Sequence, residues 1–297
     1  MVGNLYVGGT GKTPVTIELA RLLNESGWRP GLVSRGYGAK AKTNPATGQG
    51  SHLDWQVYGD EPAMIAAMTN MPIAVHPDRA AAVRELLRFD PALDIIISDD
   101  GLQHYAMGRD LEILVEDERG VGNGVTLPAG PLRETRGRRQ RVDLIFKRGA
   151  GDGDAGVATD EPQASQPATF PFTVDLRHFV CPATGVRLDA AAMAQHIQAS
   201  DTKTIALAGI GVPQRFFDSL QEKGIVVDET LALADHAVLS PALLAKLDAA
   251  TILTTAKDAV KYATQEDPRV WVAQLSIDWP GQAIMTWLLH KLPKVKR

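Results

Sequence analysis

Cysteine is almost absent from this chain of 297 residues, with Cys181 standing alone. A single thiol can form neither an internal disulfide nor a cysteine-based zinc site, so the sequence reads as that of a protein from a reducing compartment. Long apolar runs are missing as well. None approaches the roughly 18–20 residues that span a bilayer, and the start has no secretory signal pattern. Nor is there an excess of positive charge: 31 Lys and Arg stand against 35 Asp and Glu, a formal net charge of −4. That balance gives no electrostatic reason to expect bulk nucleic-acid binding. Hydrophobic content of 44% and charged content of 22% are those of a globular protein, and the length allows one large or two moderate α/β domains. The reading at this level is a cytosolic protein.

What is present begins almost at the first residue. The stretch "NLYVGGTGKTPVTIELA" (4–20) reads as a strand end, a glycine-rich turn and a helix. The strict phosphate-loop pattern G-x-x-x-x-G-K-[ST] fails at Tyr6, where its first glycine belongs. Only "MVGNLYV" precedes the turn, so the expectation is either an unusually short first strand or natural residues upstream. From Lys12 to Ser26 the apolar residues Val15, Leu19, Leu22 and Leu23 fall at helical spacing, with Pro14 near the start and Gly27 at the end. Short apolar runs at 31–34, 72–76, 94–98, 111–115 and 143–147 read as buried strands, and 78–89 as a helix. Strands alternating with helices imply a parallel, doubly wound sheet.

Residues 149–168 are rich in Gly, Asp, Ala and Pro without apolar periodicity, the composition of a linker or exposed loop. Strands are expected again at 172–180, 204–210, 251–255 and 270–277, with helices at 213–224 and 240–250. The predicted organisation is therefore α/β throughout: a parallel-sheet domain over 1–150 carrying the glycine loop, a linker over 151–170, and a second, smaller α/β/α domain over 171–297.

Four stretches carry chemistry. In the turn, Gly8, Gly9 and Gly11 around Thr10 free the backbone to approach phosphate oxygens at a helix N-terminus. Lys12 would reach the outer phosphates and the Thr13 hydroxyl would ligate magnesium. "DIIISDDGLQH" (94–104) ends an apolar strand in acid, which offers Asp99 or Asp100 to a magnesium ion; a plain Asp-Asp-Gly turn is the alternative. In "YGDEPAMIAAM" (58–68), Asp60, Glu61 and Pro62 suit an acidic first helical turn equally well as a metal ligand and a general base. "LPAGPLRETRGRRQR" (127–141) places Arg133, Arg136, Arg138, Arg139 and Arg141 within nine residues, a basic loop that can clamp phosphate or simply face solvent. His236, after Asp235, is by itself no more than a lone histidine.

Together, "VGNLYVGGTGKTP", "LVSRGYG", "GDEP", "SDDGLQH", "LPAGPLRE", "ADH" and "TAKDAVK" resemble the tetraacyldisaccharide 4′-kinase family, the lipid A 4′-kinases of Gram-negative bacteria, in the family's order from residue 2 to about residue 261. The departure at Tyr6 is similar to the family's own. The resemblance implies ATP and Mg2+, and phosphorylation of the 4′-hydroxyl of tetraacyldisaccharide 1-phosphate to give lipid IVA. It implies two α/β/α domains and a peripheral position on the cytoplasmic face of the inner membrane, with a lipid A disaccharide precursor and the membrane surface as partners and no obligate protein partner. Its N-terminal membrane-associating helix has no counterpart in this sequence.

By the same resemblance Asp60 is the general base and His236 its orienting partner, while Lys12 and Arg133 contact phosphate. Thr13, Glu61, Asp99 and Asp100 lie at the metal, and Arg35 with Tyr37 near the reaction centre or the lipid headgroup. Ala237, Leu239 and Ala256 depart from the family pattern in the second domain. The tail at 285–297 suits either an interfacial segment or an amphipathic helix packed on its own domain. A switch-type phosphate-loop ATPase or GTPase is the competing class. It would hydrolyse nucleotide without regard to added lipid disaccharide.

Overall fold

The computed structural model describes residues 1–39, 44–149, 166–200, 202–234, 240–261 and 267–292. Most of the expected linker, His236 and the last five residues of the tail lie outside these. The elements run β1 (Val2–Gly3), α1 (Lys12–Glu25), β2 (Pro30–Ser34), β3 (Ala46–Gly48), α2 (Trp55–Tyr58), α3 (Asp60–Thr69), β4 (Ile73–Val75), α4 (Arg79–Phe89), β5 (Ile95–Ser98) and β6 (Ile113–Glu116). A 3-10 turn (Arg136–Arg141) leads to β7 (Leu144–Arg148) and β8 (Ala168–Val180). Then come β9 (Arg187–Asp189), α5 (Ala190–Ala199), β10 (Thr204–Ala208), α6 (Pro213–Glu222), β11 (Glu229–Ala232), α7 (Pro241–Leu244), β12 (Thr251–Thr255), α8 (Ala256–Ala259), β13 (Val270–Asp278) and α9 (Gly281–Lys291).

The chain separates into two compact units, residues 1–174 with 277–297, and residues 175–276. In the first, β1, β6, β7 and β8 pair in parallel. In the same unit β4, β2 and β5 are also parallel, with β3 added antiparallel to β4. Of these, β2, β4, β5 and β6 are too short and too apolar to show alternation, as strands buried on both faces are. Val15, Leu19 and Leu23 of α1 and Ile65 of α3 pack with Leu32, Ile73, Ile97, Ile113 and Phe146 into one core. Helices start where side chains cap them: Asp78 accepts from Ala81 N on α4, and Asp189 from Ala192 N on α5.

In the second unit β10 lies between β11 and β12, β12 pairs with β13, and all are parallel. Pro213 opens α6 at the position where proline costs nothing. The helix expected over 240–250 is one turn, α7, and β9, α5 and β11 had no counterpart in the sequence reading.

The expected domain limits need correction at the C-terminal side. Residues 277–297 belong to the first unit, because α9 buries Ile284, Met285 and Leu288 in the same core as α1. Within 285–292 the packed amphipathic helix is thus what forms, with Trp287 and Leu292 partly covered against that core. Leu288→Ala is accordingly expected to destabilise the first unit by about 2–5 kcal/mol, the range for truncating a buried leucine. A denaturant titration followed by a probe in that unit measures it, and an unchanged midpoint would remove α9 from the core. Among the described residues no helix is long and apolar enough to cross a membrane.

Candidate functional site

Within each sheet of the first unit the strands, β3 excepted, are parallel, so the loops that follow them gather at the carboxyl ends of that sheet, where ligands enter α/β sheets. The turn after β1 is built by its backbone. Gly8 and Gly11 sit at φ 104° and 92°, a region that side-chain-bearing residues avoid, and Gly11 is the N-cap of α1. Asn4, fully buried, shapes the turn from beneath: its amide donates to Tyr6 O (2.6 Å) and Gly8 O (3.2 Å). Its Oδ1 accepts from Lys12 Nζ at 2.9 Å. Thr10 is buried with a hydroxyl lacking a hydrogen-bond partner, and Thr13 opens the helix beside Lys12.

The end of β5 supplies the acids. Asp100 adopts φ 48°, a left-handed conformation that aspartate tolerates better than most residues. Its carboxylate pairs with Lys12 Nζ (3.0 Å) and accepts two hydrogen bonds from Arg133 Nη1 (2.9 and 2.8 Å). Burial pushes this carboxyl up, but Lys12 and Arg133 together outweigh it and hold Asp100 below the usual range. Asp99 behaves in the opposite way. Burial, then the nearby negative charge of Glu61, pushes its pKa up to about 7, against the pull of Lys12 and Arg79. Its Oδ1 is buried without a hydrogen-bond partner.

Arg79, 4% exposed, donates to the carbonyls of His76 (3.3 Å) and Asp99 (3.4 Å). Burial depresses its pKa while Asp99 and Asp100 pull it up.

Asp60 and Glu61 begin α3. The acidic helix start is realised, with Gly59 as N-cap at φ 87° and Asp60 Oδ1 accepting from Glu61 N at 3.0 Å. Asp60 is nevertheless 5% exposed. A Cβ on Gly59 would lie 2.8 Å from Tyr37 O, so the turn holding Arg35 and Tyr37 packs against the start of α3 through glycine alone. Tyr37 is among the most exposed large side chains, at 73%. Arg35 is exposed and lies close enough to Arg79 to lower its pKa.

Of the five arginines in the basic run, only Arg133 joins this cluster. Arg133 N donates to Leu5 O (2.8 Å) and Val7 N to Pro131 O (2.9 Å), so backbone pairing lays the segment along the glycine turn. Arg138 is spent on Glu112 and Glu134, and Arg139 on Glu116, while Arg136 and Arg141 are exposed. Gln103 braces the same region, donating to Asn4 O (3.3 Å) and Glu134 Oε1 (2.8 Å).

A residue outside the basic run also reaches the turn. Arg119, just after β6, donates from Nη2 to Gly9 O at 3.3 Å and stacks its guanidinium 4.2 Å from the centre of the Tyr6 ring. Nε and Nη2 bind Asp117, whose side chain is fully buried, at 2.8 and 2.5 Å.

In the second unit the "TAKDAVK" segment closes on itself. Asp258, fully buried, accepts from Gly209 N (3.0 Å) and Thr255 Oγ1 (2.7 Å) and pairs with Lys261 (3.6 Å), tying the carboxyl ends of β10 and β12 together. Ala256 begins α8 there. His236, Ala237 and Leu239 lie outside the described residues.

Strand, glycine turn and helix, with a lysine at the first helical position and an acid-tipped neighbouring strand, define a phosphate-loop protein of the nucleotide-binding class. Residues 1–293 match the family model described as tetraacyldisaccharide-1-P 4′-kinase. The chain is 47% identical over 291 residues to the tetraacyldisaccharide 4′-kinase of Bordetella parapertussis, covering 97% of this chain and 81% of that one. It is 41% identical over 296 residues to that of Bordetella petrii, covering 98% and 81%. The crystal structure of LpxK from Aquifex aeolicus in complex with ATP superposes with a TM-score of 0.76 at 26% identity, over 97% of this chain and 86% of that one. The chain belongs to the tetraacyldisaccharide-1-P 4′-kinase family.

Proposed function

We propose that the protein transfers the γ-phosphoryl group of ATP to the 4′-hydroxyl of a tetraacyldisaccharide 1-phosphate. The observation that carries this reading is the Lys12–Asp100–Arg133 cluster, two cations held by one carboxylate beside a glycine turn. An anion entering the turn meets both cations already gathered, and phosphate oxygens compete with Asp100 for them. Gly8, Gly9, Thr10 and Gly11 offer backbone amides as fixed dipoles, which act without reorganisation during the reaction. That the related proteins are tetraacyldisaccharide 4′-kinases, one of them seen with ATP bound, supports ATP and the lipid disaccharide as substrates.

The chemistry is one displacement. The sugar oxygen forms a bond to the γ-phosphorus, the bond to the β–γ bridging oxygen breaks, and ADP departs. The hydroxyl proton goes to Asp60. Lys12 and Arg133 neutralise charge on the transferring group.

Magnesium, when bound, supplies further neutralisation, and Thr13, Glu61, Asp99 and Asp100 are the residues to hold it. The donor set fits. Asp99 has an orphaned, buried carboxylate oxygen near Glu61, and magnesium needs only one or two carboxylates when phosphates and water complete its shell. Among the described residues no three His, Cys, Asp or Glu side chains converge on a cation-sized point.

Arg35 and Tyr37, beside α3, are placed for the acceptor's headgroup. Four acyl chains cannot be drawn far into water at about 0.8 kcal/mol per methylene, so the reaction is assigned to the cytoplasmic surface of the inner membrane, with the protein peripheral.

The test is transfer of label from [γ-32P]ATP to purified disaccharide 1-phosphate in mixed micelles. Label in the lipid is the expected result, and Lys12→Ala is expected to reduce it by about 10²–10³-fold, as for the loss of one charge-stabilising donor. Release of free phosphate at a rate indifferent to the lipid would instead place the protein among switch-type ATPases.

A further inference from the structure

Arg119 has no part in the scheme above, yet its side chain is among the most constrained near the glycine turn. Three of its faces are occupied. Buried Asp117 holds the Nε–Nη2 edge, Gly9 O takes a further Nη2 contact, and the Tyr6 ring covers one face of the plane. Nη1 remains, with no hydrogen bond to an acceptor among the described residues, and lies 3.8 Å from where a Cβ on Gly8 would sit. Side-chain exposure is 32%, so the side chain is partly open to solvent beside the turn.

A guanidinium cation carries its charge at little cost where an acid partner is fully buried behind it, as Asp117 is. That arrangement fixes direction as well as charge. Asp117 follows directly on β6, at the same carboxyl-terminal edge of the parallel strands as the glycine turn. Gly8 and Gly9 form the middle of the turn, and Lys12, the residue that reaches the outer phosphates in such loops, opens the helix behind them.

We propose that Arg119 is a further catalytic residue, donating from Nη1 to the terminal phosphoryl group of the nucleotide held in the turn. Tyr6, which breaks the usual glycine pattern, then has a physical reason to be aromatic: its ring is the platform on which the guanidinium stacks. Arg119 stays protonated throughout. It takes no proton and forms no covalent bond, and its hydrogen bond strengthens as charge builds on the γ-phosphoryl oxygens. The proposal rests on the reading of the turn as the ATP site.

The experiment compares equilibrium binding of ADP and of a non-hydrolysable ATP analogue, with steady-state kinetics, in wild type, Arg119→Gln and Arg119→Lys. Contact with the terminal group predicts that Arg119→Gln weakens the triphosphate but not ADP, and lowers kcat by about 10²–10³-fold. Arg119→Lys keeps the charge and an ion pair with Asp117 but loses the rigid fork, so it is expected to recover little of the rate. Thermal midpoints of both variants are measured alongside, and the lysine variant carries the comparison if the glutamine variant does not fold. Equal weakening of ADP and triphosphate would make Arg119 a brace of the turn and overturn the proposal, as would a kcat near wild type. Wild-type protein that binds neither nucleotide would overturn the reading of the turn itself.

Discussion

Asp60→Asn is expected to lower kcat by about 10²–10⁴-fold, the usual worth of a general base, while ATP affinity and the thermal midpoint stay close to wild type. The local structure makes the result informative. Asp60 opens α3, where an acid favours the helix electrostatically by roughly 0.3–1 kcal/mol. If helix favouring were its whole role, the asparagine variant would lose a little stability and no rate. Burial to 5% exposure at the edge where parallel strands end is more than a helix start requires. Single-turnover kinetics separate the two roles, and a purified, folded variant with wild-type kcat would remove Asp60 from the chemistry.

Asp99→Asn is expected to stabilise the ligand-free protein at pH 8 and to inactivate it. The carboxyl of Asp99 is pushed from the ordinary aspartate value of 3.8 to about 7 by burial and by Glu61. A carboxyl whose pKa is higher in the folded chain than in the unfolded one holds its proton preferentially in the folded state. Its contribution therefore favours folding at low pH and is lost as pH rises from about 4 to about 7. Above that window the wild-type chain carries a buried charge that Lys12 and Arg79 offset only in part. An isosteric amide avoids it, for a gain on the order of 2–4 kcal/mol at pH 8 and little difference at pH 4. Urea titrations at both pH values measure the gain. Because the ionised form is the one that binds a divalent cation, magnesium-nucleotide affinity of the wild type should rise between pH 6 and 8, and the variant should lack that rise. A variant less stable than wild type at pH 8 would show that Asp99 is compensated by its neighbours.

The sequence made legible those parts whose requirements are local. Glycines at 8 and 11 are demanded by backbone angles a few residues apart, and an acid after an apolar strand announces the tip of β5. Which arginine of the basic run would matter was not legible, because the choice is tertiary: only Arg133 is carried to Asp100, by backbone pairing with Leu5. Asn4 lay inside the quoted motif but drew no notice, since its three partners appear only once the turn is folded. Arg119 was missed for the same reason, its contact with Gly9 spanning 110 residues. The tail was ambiguous because amphipathic spacing suits a membrane surface and a protein core alike. Its neighbours in space, Val15 and Leu19 among them, decide between the two.

The return of α9 to the first unit has a consequence for biosynthesis. Ile284, Met285 and Leu288 fill a core whose other members are drawn largely from the first half of the chain. On a ribosome, that body cannot complete its interior until α9 has been translated. Residues 175–276 are continuous and able to close earlier, so the half that carries the glycine turn is translated first but finished last.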